Sequence, residues 1–341
     1  MFHQFNDIGI KALLGVSSSK TFSLDELCKP YADERTITRL KSSIGFKTLR
    51  ILDKDKTVVD MATAGIKHLV GNNIFNIQDI DGVVFVTESP DHLVPAPSYM
   101  LQKKVGFKED TILMDMIGGC AGFVNGLMQA YLLVQAKLCK KVVFVCGETK
   151  QAVDDATEQK LNLSIFSDGF GIALIEEMPC GSSSFNIYND GDLHKVIMYE
   201  NMPGCAYKYK RVPKAEHLGM FIEGTELANY ILDPCVDRTL ELLQKANISN
   251  ENISKVICHQ ANKVLVKLFA QRVNFTEDQA PFLAENTGNT GSATIPLALS
   301  ECFAHKSLDK KVVFIGFGVG LSYASCVLSL KDTAILDALY I

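Results

Sequence analysis

The sequence lacks two features that would point to nucleic-acid or metal binding. Its 34 lysines and arginines do not outnumber the 39 aspartates and glutamates, and the formal net charge is −5. A general nucleic-acid binder needs a basic excess to neutralise phosphates, so the charge balance argues against this class. The ten cysteines include no Cys-x-x-Cys pair, which argues against a zinc site, and we expect no metal. Scattered cysteines in a chain of this size are typical of buried thiols in a reducing compartment.

The sequence also lacks a recognisable membrane or secretion signal. The first residues, MFHQFNDIGIKALLG, have neither the basic start nor the continuous apolar run of a signal peptide. One uncharged stretch, 116–136, is long enough to cross a bilayer. It contains Asn125, Gln129 and Gln135 together with four glycines, a composition that favours a helix buried inside a protein. We therefore expect a cytoplasmic protein.

Two pairs of similar segments indicate an internal duplication. KKVVFVCGET at 140–149 closely matches KKVVFIGFGV at 310–319. Upstream of them lie two further short apolar runs that end in polar residues, DGVVFVTES at 81–89 and SKVICHQAN at 254–262. Apolar runs of strand length that alternate with helical segments predict parallel strands covered by helices. The sequence therefore predicts an α/β protein made of two related halves.

We place the first half at 1–178 and the second at 179–341. The joint is expected near 176–184, EEMPCGSSS, because proline, glycine and three serines are typical of a turn or loop. The following stretch, 185–225, is rich in tyrosine, proline and histidine. We expect it to be a loop-rich segment that forms one wall of a binding site.

A single cysteine among very small residues is the strongest candidate for a catalytic group. The segment 117–123 reads IGGCAGF, and it follows a predicted buried strand, TILMDM at 111–116. Cys120 is thus predicted at a strand-to-helix turn, where free backbone N–H groups and the helix dipole favour an anion. We expect this position to lower the pKa of the thiol. The small neighbours would let a substrate approach the sulfur closely.

Two other polar residues are predicted at the same edge of the fold. His259 ends the second-half strand in CHQAN, and Asn289 lies in NTGNTGSATIP, just before a predicted helix. Ligands of doubly wound sheets bind where the loops after the strands gather. We therefore expect Cys120, His259 and Asn289 to converge there.

The chain resembles the β-ketoacyl-acyl-carrier-protein synthase III family of the thiolase superfamily over almost its whole length. Five motifs carry the resemblance in order: CAGF around Cys120, FSDGFGIAL at 166–174, HQAN at 259–262, GNTGSATIP at 288–296 and GFGVGLSYAS at 316–325. The resemblance implies a thiolase-like fold, in which two duplicated halves with mixed five-stranded sheets form an αβαβα layered arrangement. It also implies a homodimer.

The resemblance further implies a reaction and the roles of its residues. Cys120 would take an acyl group from an acyl-CoA or acyl-carrier protein, with the backbone N–H groups of Cys120 and Val319 as the oxyanion hole. His259 and Asn289 would then stabilise the enolate formed when a malonyl thioester loses carbon dioxide, and the product would be a 3-oxoacyl thioester. No metal or redox cofactor is implied.

Several positions depart from the family pattern. The chain has no tryptophan, although the family uses one, with an arginine, to grip coenzyme A. Arg50 lies next to the position of that arginine. Val94 and Ala228 stand where the family has phenylalanines, which suggests a wider substrate channel, and we place Phe166 and Ser322 on the same channel. Three basic residues are candidates for docking a carrier protein, or belong to a solvated helix face: Lys263, Lys267 and Arg272.

Three alternative functions stay open, and a fourth is disfavoured. Glu88 is either a solvated carboxylate or an added base; as a base it would allow condensation without decarboxylation, as in hydroxymethylglutaryl-CoA synthases. The enzyme would otherwise pass its acyl group to an oxygen, nitrogen or other carbon nucleophile. A thiolase is disfavoured because Cys326 is not followed by the required glycines. Outside enzymes, the alternative is an inactive partner subunit.

Overall fold

The computed structural model of the chain describes residues 1–149, 165–199 and 220–341. The strands are β1 Phe2–Ser17, β2 Thr21–Ser23, β3 Thr48–Arg50, β4 Gly82–Val86, β5 Ile112–Met116, β6 Lys141–Glu148, β7 Gly169–Asn189, β8 Ile197–Tyr199, β9 Met220–Ile222, β10 Ile253–Cys258, β11 Lys311–Gly318, β12 Ser322–Leu328, β13 Ala334–Ile335 and β14 Leu339–Tyr340. The α-helices are α1 Leu24–Cys28, α2 Glu34–Ile44, α3 Val58–Gly71, α4 Pro97–Val105, α5 Gly122–Gln135, α6 Gly224–Leu232, α7 Pro234–Lys245, α8 Lys263–Arg272 and α9 Thr294–Phe303.

The strand pairing repeats in the two halves. In the first half β4 pairs parallel with β6, and β6 pairs antiparallel with the start of β7. In the second half β10 pairs parallel with β11, and β11 pairs antiparallel with β12. The similar segments of the sequence thus occupy equivalent strands, β6 with β11 and β4 with β10, which confirms the predicted duplication and the α/β class.

The two halves share their longest strands. Residues 169–177 of β7 pair with β6 and with the second part of β1, whereas 182–189 pair with β12 and with the start of β1. The sheet is therefore continuous, in the order β10-β11-β12-β7-β6-β4-β5. The joint expected near 176–184 lies within β7 and not in a loop: β1 pairs with these residues on both sides of Gly181, whose φ is +70°. The loop-rich segment expected at 185–225 begins later than predicted, because β7 continues to Asn189. Its part from 200 to 219 lies outside the described residues.

Side chains on each strand alternate between a central and an outer core. On β4, Val84 and Val86 face the central cluster, where Phe123 of α5 also packs, while Val83 and Phe85 face an outer cluster that includes α3. The second half repeats this, because Ile257 of β10 joins the central cluster and its neighbours join an outer cluster with α7 and α8. The helices α5 and α9 thus form a central layer between two sheet regions, as the αβαβα arrangement requires.

The uncharged stretch 116–136 forms a buried helix. α5, Gly122–Gln135, covers fourteen of its residues and contributes Phe123, Leu127 and Tyr131 to the central core. No helix within 1–149, 165–199 and 220–341 is long and apolar enough to cross a membrane.

Candidate active site

Cys120 lies between β5 and α5, two residues before the first helical residue. The turn is closed by the Gly122 N–H, which donates to the carbonyl oxygen of Gly119 at 2.6 Å. Val86 of β4 packs against this turn so closely that a Cβ on Gly122 would come within 2.8 Å of its side chain. Cys120 itself is partly exposed and lines a cavity. The predicted strand-to-helix turn is therefore present.

The second half approaches Cys120 at the end of β11. A Cβ on Gly318 would lie 2.8 Å from Cβ and 3.1 Å from Sγ of Cys120, and the φ of Gly318 is +153°. Such distances and such a backbone conformation require glycine. Val319 follows at once and lines the same cavity. Small residues are thus needed on both sides of the sulfur.

His259 follows β10 and is buried, with 2% of its surface exposed. Its backbone N–H donates to the carbonyl oxygen of Ile315 at 2.6 Å, which fixes its place beside β11. The ring nitrogen Nδ1 lies 2.8 Å from Oγ1 of Thr294, and Phe317 meets the ring edge-on at a centroid distance of 5.8 Å. His259 lines the cavity, so the ring is held on one side by a hydroxyl and on another by an aromatic ring.

Asn289 is held by its backbone and by its side-chain oxygen. Its N–H donates to the carbonyl of Ile165 at 3.2 Å, and its carbonyl accepts from the N–H of Ser167 at 2.9 Å. The side-chain Oδ1 accepts the N–H of Gly291 at 3.0 Å. Because a backbone N–H can only donate, this bond identifies the oxygen end of the amide. The NH₂ group is therefore the end left for a ligand in the cavity that Asn289 lines.

One cavity of about 210 Å³ brings the three predicted catalytic residues together. Cys120, His259 and Asn289 all line it. Most of its other lining side chains are apolar and come from the second half: Ile197, Ile222, Leu227, Ile231, Leu265 and Phe317. Such a wall suits an alkyl or pantetheine-like chain better than a charged ligand.

Glu88 is the acidic residue among the described residues that line the cavity. It follows β4, and a Cβ on Gly119 would come within 3.0 Å of both of its carboxylate oxygens. The carboxylate therefore lies beside the residue that precedes the candidate nucleophile. Its position in the cavity lining is what the added-base alternative requires, and that role stays a prediction.

Sequence reasoning missed Glu148, a fully buried carboxylate at the end of β6. Its Oε2 accepts from the Glu88 N–H at 2.8 Å, Ser89 Oγ at 3.1 Å and Thr87 Oγ1 at 3.2 Å, and its Oε1 accepts from Ser292 Oγ at 3.3 Å. It thus ties the turn that carries Glu88 to the loop that follows Asn289. The available signal was an acid at the end of an apolar strand.

The remaining predicted channel residues are only partly in place. Phe166 lines the cavity. Ser322 does not, because its hydroxyl donates to the Val319 carbonyl at 2.9 Å. Ala228 does not either; the helical phase of α6 turns Leu227 to the cavity instead. Val94 is 82% exposed on the surface of the single chain.

The predicted docking residues lie in two places. Arg50 lies away from the cavity lining, with its guanidinium 3.9 Å from the ring centre of Tyr340 and its Nη1 donating to the Ser18 carbonyl. The guanidinium is thus packed within the fold, and the docking role of Arg50 stays a prediction. Three basic residues lie on the exposed face of α8: Lys263, Lys267 and Arg272. The helix starts beside the cavity, which Leu265 lines.

Two of these basic side chains have acidic partners. Lys267 pairs with Glu277 at 2.7 Å, and Arg272 pairs with Asp233 at 2.9 Å. All four side chains are more than half exposed, so the pairs are weak and an acidic partner can compete for them. Their position is compatible with both readings of the sequence.

Comparison with known proteins finds relatives that match most of the chain. A model of the family described as 3-oxoacyl-[acyl-carrier-protein] synthase III matches residues 114–191, and its C-terminal counterpart matches 243–330. A putative 3-oxoacyl-[acyl-carrier-protein] synthase 3 from Campylobacter jejuni is 27% identical over 327 residues, covering 90% of this chain and 89% of that protein. A β-ketoacyl-[acyl-carrier-protein] synthase III from Porphyra purpurea is 27% identical over 326 residues, covering 94% and 99%.

The fold has a near match among solved structures. A 3-oxoacyl-(acyl-carrier-protein) synthase from Burkholderia xenovorans superposes with a TM-score of 0.91 at 23% identity, covering 100% of this chain and 99% of that one. The two family models contain the predicted catalytic residues, Cys120 in the first and His259 and Asn289 in the second. The chain thus carries the two domains of the 3-oxoacyl-[acyl-carrier-protein] synthase III family, a family of condensing acyltransferases, and it has a thiolase-like fold.

Proposed function

We propose that this enzyme transfers an acyl group from an acyl-CoA or acyl-carrier protein to Cys120 and condenses it with a malonyl thioester, most simply malonyl-carrier protein, to give a 3-oxoacyl product. The observation that carries the proposal is the single cavity lined by Cys120, His259 and Asn289, with the amide oxygen of Asn289 already bonded inside the protein. A thiol and two hydrogen-bonding side chains that line one largely apolar cavity are what such a reaction needs.

In the first step the Cys120 thiolate attacks the thioester carbonyl, and a new C–S bond forms. The carbonyl oxygen becomes an oxyanion, which the backbone N–H groups of Cys120 and Val319 stabilise. The close approach of Gly318 to the sulfur supports this pairing, because it brings the next N–H near the same carbon. When the oxyanion collapses, the C–S bond to the donor breaks and the donor leaves as a thiolate.

In the second step the carbonyl oxygen of the malonyl thioester accepts hydrogen bonds from His259 and Asn289. The bond to the carboxylate carbon breaks, carbon dioxide leaves, and its electron pair forms an enolate whose negative oxygen those donors stabilise. The enolate carbon attacks the acyl carbonyl on Cys120, and the C–S bond breaks to regenerate the thiolate. The reaction involves no net oxidation or reduction, so the proposal calls for no redox cofactor; it calls for no metal either, because N–H donors of the protein stabilise both the oxyanion and the enolate.

The proposal includes two partners. An acidic carrier protein would dock on α8, where exposed Val264 and Leu268 alternate with Lys263, Lys267 and Arg272. Such a mixture of apolar and basic groups suits an acidic, partly apolar helix. The scattered cysteines of the sequence, a pattern typical of a reducing compartment, support the proposed cytoplasmic location.

The second partner is another copy of the chain. β5 is the edge strand of the sheet, and its side chains are only partly buried. Nearby chain segments expose Leu93, Val94 and Ile117 by 68% or more. An unprotected apolar edge is a site for strand pairing, so we propose that two β5 strands meet in a homodimer. Light scattering that gave the mass of one chain at micromolar concentration would contradict this.

The reaction is tested by weighing the intact protein after incubation with a panel of acyl-CoAs and acyl-carrier proteins. An acyl adduct that is absent in Cys120→Ser is the expected result. Malonyl-carrier protein is then added, and release of carbon dioxide with loss of the adduct is expected. Without any adduct, the alternative of an inactive partner subunit would replace the proposal.

Asn289→Asp separates the two steps. The variant replaces the donating amide by a group that carries no proton when ionised, so condensation should fall by about 100-fold or more. Acylation of Cys120 should stay near the wild-type rate, because Asn289 acts only on the second substrate. Equal loss of both steps would contradict the assigned role.

Glu88 favours a second candidate function. Its carboxylate lies in the cavity beside the turn of Cys120, where it could take a proton from an O–H, N–H or C–H donor. The acyl group would then pass to that donor without loss of carbon dioxide. Product formed from a donor that lacks a free carboxylate, and abolished in Glu88→Gln, would establish this function; its absence across alcohol, amine and acyl thioester donors would exclude it.

A further inference from the structure

Thr294 contacts His259 on the Nδ1 side of its ring. It is the first residue of α9 and is buried, with 3% of its surface exposed. Its hydroxyl Oγ1 lies 2.8 Å from Nδ1 of His259. Two backbone groups complete its surroundings: the Gln260 N–H at 3.3 Å and the Gly291 carbonyl oxygen at 3.2 Å.

The hydroxyl has one proton and two groups that can accept it. The Gln260 N–H can only donate, so it uses a lone pair of Oγ1. The proton then goes either to Nδ1 of His259 or to the Gly291 oxygen. Hydroxyl-to-oxygen bonds are normally about 2.5–3.0 Å long, so the 3.2 Å contact with Gly291 is long. The 2.8 Å contact with Nδ1 has an ordinary length.

From this geometry we propose that Thr294 is a positioning residue that donates to Nδ1 and thereby holds neutral His259 with its proton on Nε2. A neutral imidazole carries one N–H, so an acceptor at Nδ1 means a donor at Nε2. The inference rests on the proposed function for the use of that donor, which would face the enolate oxygen together with the NH₂ of Asn289.

The other tautomer would oppose the reaction. If Nδ1 carried the proton, Thr294 would accept from it and donate to Gly291, and Nε2 would present a lone pair. A lone pair that faces the oxygen of an enolate repels it. The hydroxyl of Thr294 therefore decides whether His259 stabilises or destabilises the negative charge, without itself touching substrate.

The first test reads the tautomer directly by NMR of protein labelled with ¹⁵N-histidine. The chain has seven histidines, and the spectrum of His259→Gln identifies the signals of His259. At about pH 8.5, two units above the ordinary histidine pKa, we expect the proton on Nε2 in the wild type and in Thr294→Ser. In Thr294→Val, which keeps the shape and loses the hydroxyl, we expect a mixture or a shift to Nδ1.

A proton on Nδ1 in the wild type, or on both nitrogens at that pH, would overturn the inference. An unchanged tautomer in Thr294→Val would do the same. If Thr294→Val does not fold, the wild type and Thr294→Ser still decide the matter. These readings do not depend on any substrate, so they stand even if no acyl donor or malonyl donor is turned over and the proposed function fails.

The second test compares the two half-reactions. In Thr294→Val, release of carbon dioxide from malonyl-carrier protein should fall at least tenfold, while acylation of Cys120 stays within about threefold of wild type. Thr294→Ser should restore the release to within about threefold. Ser300→Ala is the matched control, because Ser300 is a buried hydroxyl on the same helix, six residues after Thr294, and accepts from the Gly15 N–H. An equal loss in the control would overturn the assignment.

Discussion

Gly318→Ala should damage the candidate active site by pushing on Cys120. The new Cβ would lie 2.8 Å from Cβ and 3.1 Å from Sγ of Cys120, whereas carbon atoms in good contact are about 3.5–4.0 Å apart. Relief therefore needs a shift of roughly 0.7–1.2 Å. In addition, a φ of +153° strains any residue other than glycine by about 1–3 kcal/mol. The free energy of unfolding should fall by at least this amount.

The effect on catalysis should be larger than the effect on stability. A misplacement of about 1 Å can cost about 100-fold in rate, so acylation of Cys120 should slow by about that factor in protein that is still folded. The assay is a time course of the acyl adduct by intact mass, combined with urea unfolding. Gly71→Ala is the control, since Gly71 ends α3 and has open space around its Cβ position. Wild-type acylation by Gly318→Ala would refute the close approach of the two halves at the sulfur.

Three further predictions concern other parts of the molecule. Iodoacetamide at pH 7.5 should label Cys120 well before Cys258, because burial raises the pKa of Cys258 to about 12; peptide mapping showing equal labelling would contradict this. Hydrogen bonds from Lys245, Arg238 and Asn186 lower the pKa of Glu241 to about 2, so its stabilisation is complete above pH 4.5 and lost as the pH falls through 2. Because the carboxylate is 29% exposed, Glu241→Gln should lower the free energy of unfolding, measured in urea at pH 7, by only about 1 kcal/mol. The difference between variant and wild type should be smaller at pH 3, and a difference that is the same at both pH values would contradict the prediction. Glu148→Ala should lower the free energy of unfolding by about 1–3 kcal/mol, because it leaves the buried donors around Glu148 without an acceptor. A variant as stable as wild type would contradict the hydrogen bonds assigned to Glu148.

The sequence predicts those parts of the site that depend on local pattern. The duplicated segments fix equivalent strands, and His259 and Asn289 were assigned because polar residues at strand ends gather at one edge of a sheet. The turn before α5 was predictable for the same kind of reason, because the small residues around Cys120 follow an apolar run of strand length; the expectation that this strand is buried was wrong, since β5 is an edge strand with partly buried side chains. Each of these patterns is recognised in short segments of the sequence.

Contacts between distant segments could not be predicted in the same way. Arg50 stacks on Tyr340, from which it is separated by almost the whole sequence, and no pattern near Arg50 predicts this partner. Serines 182–184 look like a loop, but β1 supplies the hydrogen bonds that make them a strand. Ala228 and Leu227 are neighbours in sequence, and only the rotation of α6 decides which of them faces the cavity.

The shared strands β1 and β7 make the molecule a single folding unit despite its duplicated plan. A cut between residues 178 and 179 would divide β7 and leave two fragments with unpaired, aggregation-prone sheet edges. In each fragment the longest strand would lack some of its partners. Denaturation should consequently proceed as one cooperative event, and an ancestral single half would have needed a second copy of itself to complete its sheet.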